Sequence, residues 1–124
     1  MQREDIKSYK DACKCIGRKP RQYKDAHMNT YEQLTTIIAA LNFIANGNKP
    51  WQHELHKGIG HWYVWYDSSY SIDGVNAGLF SLDYHYSVDY SYADIGTQLR
   101  LKERDDANYL RTNFTDLLFD WFRK

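Results

Sequence analysis

The sequence predicts one α+β domain over residues 1–124, with a three- to four-stranded antiparallel sheet packed against two N-terminal helices and one C-terminal helix. Three observations predict it. Apolar residues recur at helical spacing through the first 47 positions, change to alternation from His61, and return to helical spacing after Asp105. The expected order is α-α-β-β-β-α. A chain of 124 residues has the size of one domain and can bury a core without disulfide or metal staples.

The first helix is expected over about Glu4–Ile16, where Ile6, Tyr9, Cys13 and Ile16 fall on one stripe. Gly17 suits its left-handed end, and Pro20 prevents an immediate restart. Cys13 lies on the apolar stripe and Cys15 nearly opposite. Residues at i and i+2 of a helix point apart, so no disulfide between them is expected. A small core hydrophobe and an exposed thiol are expected instead. A basic connector follows, with Arg18, Lys19, Arg21 and Lys24. The second helix has Tyr31, Leu34, Ile37, Ile38, Leu41 and Ile44 on its apolar face and ends at Gly47. Asn29 followed by Glu32 has the form of a capping box at its start.

Lys49-Pro50-Trp51 opens a loop that runs to Gly60. His61-Trp62-Tyr63-Val64-Trp65-Tyr66 is aromatic and β-branched, as a strand should be. Asp67 to Gly74 is turn-like. From Gly78 onward Phe80, Leu82, Tyr84, Tyr86, Val88, Tyr90 and Tyr92 alternate, and a run of that length predicts a bend near His85 to Asp89. Thr97 to Lys102 alternates and reads as a third strand. The last helix is expected to start near Asp105, with Asp105 and Asp106 at the positive end of its dipole. Ala107, Leu110, Phe114, Leu117, Leu118 and Trp121 form its buried stripe.

Formal net charge is zero, but residues 1–62 carry ten Lys and Arg against six Asp and Glu, and residues 63–124 reverse those proportions. Such a split can steer a charged partner. Mutual attraction of two solvated faces within the fold accounts for it more simply. The N-terminal stretch is charged with no apolar segment after it, and no apolar run approaches the length of a membrane span. A cytoplasmic protein without membrane contact is expected.

Several short stretches together resemble one family: Tyr9-Lys10-Asp11-Ala12-Cys13-Lys14, the Lys49-Pro50-Trp51 loop, and the strand with Trp62 and Trp65. Gly96-Thr97-Gln98-Leu99-Arg100-Leu101-Lys102 and Phe114-Thr115-Asp116-Leu117 belong to the same likeness. The family consists of small proteins of unknown function carried by phages and prophages of Bacteroidetes-type bacteria. The resemblance runs in order over nearly the whole chain, through motifs that are mainly structural. Relatives carry Ser where this chain has Glu103, a better helix cap. The resemblance implies a phage context, hence an infected or lysogenic bacterial host, and brings no catalytic residues.

Two constellations could carry chemistry. His53-Glu54-Leu55-His56 with His61 approaches the zinc-protease pattern H-E-x-x-H-x-x-G-x-x-H, but its first two histidines stand at i and i+3 instead of i and i+4. His53, His56 and His61 are therefore weak metal candidates beside the ordinary reading of solvated loop histidines, and no cofactor is expected. The second constellation is the aromatic sheet. Trp51, His61, Trp62, Tyr63, Trp65, Tyr84, Tyr86 and Tyr90 would form a binding surface if one face is open. Rings that simply pack both faces are the plainer account. Arg18, Lys19, Arg21 and Lys24 could meet phosphates or an acidic partner. No nucleophile elbow, phosphate loop or dinucleotide fingerprint is present.

The expected function is a non-enzymatic phage-type accessory protein that binds and modulates a host protein, with antiviral systems such as CRISPR–Cas as the class of target. Two alternatives stand beside it. One is binding of single-stranded nucleic acid, or of a ribonucleoprotein, through the aromatic strands. The other is a small metal-dependent enzyme around the histidine-rich loop.

Overall fold

A computed structural model describes the backbone of residues 1–51, 61–66, 79–84 and 100–123, with side chains for 1–51 and 100–122. A 3-10 turn at Arg3–Asp5 precedes helix α1 (Tyr9–Ile16) and the 20-residue helix α2 (Ala26–Ala45). Strands β1 (His61–Tyr66) and β2 (Leu79–Tyr84) come next, then helices α3 (Arg104–Asn113) and α4 (Thr115–Arg123).

Among the described residues the hydrophobic core is mainly helical. Leu34, Ile37, Ile38, Ala40 and Leu41 of α2 pack with Ala107 and Leu110 of α3 and Leu118 of α4, and Ile6, Ala12, Phe114 and Leu101 complete the cluster. The α+β architecture and the aromatic-rich sheet expected from the sequence are therefore wrong. No three- or four-stranded sheet forms among the described residues. The described strands are β1 and β2, which pair antiparallel in a register that sets His61 opposite Tyr84 and Tyr66 opposite Leu79.

Of the expected third strand at Thr97 to Lys102, only Arg100 to Lys102 is described, and there Leu101 makes an isolated β-bridge with no strand assigned. Among the described residues of that segment, Leu101 is fully buried, but its neighbours are fastened to a helix. Asn42 of α2 donates from Nδ2 to the Arg100 carbonyl at 2.9 Å and accepts the Lys102 N–H at Oδ1, also at 2.9 Å. One carboxamide thus satisfies the backbone groups on one edge of this extended segment. Alternation in sequence signals burial of one side of an extended chain and does not specify what pairs with its backbone. The segment before Arg100 lies outside the described residues.

Local rules explain the helix boundaries. The expected first helix is interrupted, because Ser8 caps α1 by accepting the Asp11 N–H, which leaves Ile6 extended and buried. Gly17 ends α1 with φ 68°, as its position predicts. Helix α2 is capped by Asp25, which accepts from the Met28 N–H, and not by the Asn29–Glu32 box. Asn29 instead accepts the Tyr23 N–H. Gly47 at φ 71° turns the chain away beyond the end of α2.

The C-terminal helix is two helices. Phe114 leaves helical geometry at φ −125°, ψ 38° and inserts its ring into the core. Glu103 precedes α3 without a side-chain capping bond, so the carboxylate does not do the work of a serine there. Asp105 is exposed in the first turn, but Asp106 is buried and pairs with Arg3. That pair and the 2.8 Å bond from the Tyr109 hydroxyl to the Ile6 carbonyl strap the N-terminus to α3. Burial raises the pKa of Asp106 against the opposing pull of Arg3, as for a carboxyl held in a structural strap.

Asn42→Ala strands two backbone groups at a buried site. It should cost about 2–4 kcal/mol, read as a lowered urea midpoint with little change in slope. Asn113→Ala, at an exposed site on α3, should stay within about 0.5 kcal/mol of the parent.

Candidate functional site

The connector between α1 and α2 is shaped from beneath by Glu32. This residue lies in the second turn of α2, where the helix packs on α1, and is only 6% exposed. A carboxylate removed from water needs donors on both oxygens. Arg18 donates from Nη2 to Oε1 at 2.7 Å. The Tyr9 hydroxyl donates to Oε2 at 2.8 Å, and the Thr36 hydroxyl donates to the same oxygen at 3.2 Å. The Tyr9 oxygen in turn accepts the Arg21 backbone N–H at 2.8 Å. The chain from Arg18 to Arg21 is thereby tied at both ends to one carboxylate.

Burial pushes the Tyr9 phenol up to about 12, opposed by the Arg21 N–H and reinforced by the bond to Glu32. Tyr9 is accordingly a neutral donor in the resting network.

Above this network stands an aromatic shelf. His27, in the first turn of α2, stacks on Trp121 of α4 with ring centroids 4.6 Å apart and an interplanar angle of 11°. Tyr31, one turn further along α2, tilts against the same indole at 5.4 Å. Met28 and Tyr31 are exposed to 51% and 38%, while Trp121 is half-buried. The sequence placed Tyr31 and Trp121 in buried stripes. They lie at the edges of those stripes, where Tyr31 keeps 38% of its surface exposed and Trp121 is half-buried. The apolar spacing that announced the helices was the signal, and only their packing reveals the shelf.

Of the four connector cations singled out from the sequence, Arg18 is turned inward to Glu32 and is not free for a phosphate. Lys19, Arg21 and Lys24 are exposed, with no described carboxylate at ion-pair distance. Trp51 is half-buried just beyond Pro50, in a turn held by Asn46, which donates to the Lys49 and Pro50 carbonyls at 3.3 and 3.1 Å. His61, Trp62, Tyr63 and Trp65 lie on β1 and Tyr84 on β2 by their backbones, while their side chains fall outside the described residues. Tyr86, Tyr90, His53 and His56 fall outside the described residues altogether. Among the described residues the structure therefore brings together the exposed connector cations and a helical shelf.

Among the described residues no group of three His, Cys, Asp or Glu side chains could hold a metal ion. Cys13 and Cys15 are free thiols. Cys13 is buried as expected, but Cys15 is half-buried against the core edge, where burial raises its pKa and keeps the unreactive thiol form. A groove of about 520 Å³ runs between the start of α1 and the α3–α4 junction, and one of about 370 Å³ lies beside Arg3 and Asp106. In neither does a described hydroxyl or thiol face an imidazole, because His27 lines neither groove. Among the described residues no helix is long and apolar enough to cross a membrane.

No protein-family model, curated protein or solved structure matches the chain. The phage-type resemblance therefore rests on the residues quoted for it alone.

The neutral Tyr9 phenol has a clear linkage. Its folded pKa lies above the ordinary 10.0, so the stability it contributes is complete below that pH and is lost as pH rises toward about 12. Urea midpoints below pH 10 and near pH 12 should differ less in Tyr9→Phe than in the parent, once both are corrected for general alkaline destabilisation.

Proposed function

We propose that this protein is a non-enzymatic binding protein that acts by docking on another protein, in the manner of a phage accessory protein directed at its bacterial host. One observation carries the reading. A rigid helix end presents His27, Met28, Tyr31 and Trp121 in one shelf beside exposed Lys19, Arg21 and Lys24. Aromatic rings, Met and Arg are the residue types that concentrate binding energy at protein interfaces. The shelf is held by ring stacking and the connector by hydrogen bonds that lead to the buried Glu32, so less ordering entropy is left to lose on docking.

The phage context comes from the family resemblance, and a component of an antiviral system such as CRISPR–Cas is the class of host target it suggests. Single-stranded nucleic acid is less well supported. That mode needs a continuous cationic track with open ring faces. Here Arg18 is consumed by Glu32, and the Trp121 ring is already stacked by His27 and flanked by Tyr31.

Tagged full-length protein, recovered from a Bacteroidetes host lysate with and without nuclease and read by mass spectrometry, tests the reading. A protein partner recovered at equal yield after nuclease is expected. Recovery that disappears with nuclease would replace the proposal with nucleic-acid binding, and recovery of nothing above the tag control would overturn both.

A further inference from the structure

The basic connector and the aromatic shelf occupy the same end of α2, where positive charge is concentrated. Between Ala12 and Glu32 the sequence holds five Lys and Arg against two carboxylates. Both carboxylates are already engaged, Glu32 by Arg18 and Asp25 by the Met28 N–H that it caps. Helix α2 has no acidic residue in its first turn and no basic residue in its last. The N-terminus of a helix carries partial positive charge, so cations beside it are repelled and anions attracted. Lys19, Arg21 and Lys24 therefore add to the helix field, which the Asp25 cap opposes with a single charge, and no described carboxylate forms an ion pair with them. The surface that results attracts negative charge, with apolar and aromatic area directly beside it.

Resting on the binding reading above, we infer that this end of α2 is the docking surface for an acidic segment of a partner protein. Carboxylates of that segment meet Lys19, Arg21 and Lys24, and an apolar side chain seats against Met28 and Tyr31 on the shelf. The sign of the partner follows from these three exposed cations, with which no described carboxylate pairs. Its class follows from the rings, because a stacked and half-buried indole offers an edge and a floor to a side chain but no open slot to a base. Charge reversal should act mainly on association, as for steering charges at an interface rim, and truncation of Met28 should act mainly on lifetime.

Site-directed photocrosslinking of the full chain tests this. One form carries Met28→p-benzoylphenylalanine and another carries the same probe at the exposed Asn113, on the groove between the start of α1 and the α3–α4 junction. Each is irradiated in the host lysate with and without nuclease, and the crosslinked peptides are sequenced. The expected result is a nuclease-resistant adduct from position 28 that maps to an Asp- and Glu-rich stretch of a protein. Its yield should fall about ten-fold in an R21E/K24E background, and it should weaken as salt is raised. The double reversal lies on the exposed connector, and an unchanged urea midpoint would confirm that its fold is intact. An adduct from position 113 alone, or equal yield with R21E/K24E, would overturn this surface while leaving the binding reading standing. A nucleic-acid adduct, or one between two copies of this chain, would also overturn it, and absence of adducts from both positions would count against both readings.

Discussion

The burial of Glu32 is the constraint on which the shape of the candidate site depends. A carboxylate 6% exposed between two helices would be strongly destabilising alone, and the chain satisfies it with Arg18, Tyr9 and Thr36. The cost of that burial is offset only while every donor is in place, so the network selects one path for the α1–α2 connector over its alternatives. Fixing Arg18 inward leaves Lys19 and Lys24 outward, and fixing the Arg21 backbone on Tyr9 sets where its side chain begins. A structural demand inside the helix pair thus produces a cationic surface outside it.

Helix α2 organises the remainder through a second buried polar residue. Asn42 lies ten residues beyond Glu32, about 15 Å along the axis, and holds the extended chain around Leu101. Leu101 then delivers α3 to the core, and the Arg3–Asp106 pair closes the N-terminal turn onto α3. Both α2 contacts join residues far apart in sequence, and each depends on a side chain of fixed polarity. Apolar packing supplies most of the stabilisation, while these polar fastenings choose which packing is adopted.

Much of the helical framework was legible in the sequence, because it follows from local rules. The stop at Gly17, the buried side of Cys13, the turn at Gly47 and the buried stripe through Leu34, Ile37, Ile38 and Leu41 all follow from spacing and backbone chemistry. Glu32 was misread as a capping partner, since a capping box and a buried ion pair place the same residue type at the start of a helix. Only the packing of α1 on α2 separates the two. The sheet expectation failed because alternation registers which sides of an extended chain are buried, and Leu101 is buried against helices. Tyr31 and Trp121 fit helical stripes equally well whether the edge of a stripe is covered or open. Their exposure beside the connector depends on where α4 ends against α2, which no local pattern encodes. The connector cations were visible as a cluster, but not the inward turn of Arg18 that divides it.

A double-mutant cycle between Arg18→Met and Glu32→Gln tests most directly whether the buried carboxylate governs the connector. Stability of the parent, both single variants and the double variant would be read from urea unfolding. Dependence of the site on this ion pair predicts a coupling energy of about 1–3 kcal/mol, with the double variant less damaged than the two single losses together. Additivity within about 0.3 kcal/mol would mean that Arg18 and Glu32 act independently, and the connector would owe its shape to something else.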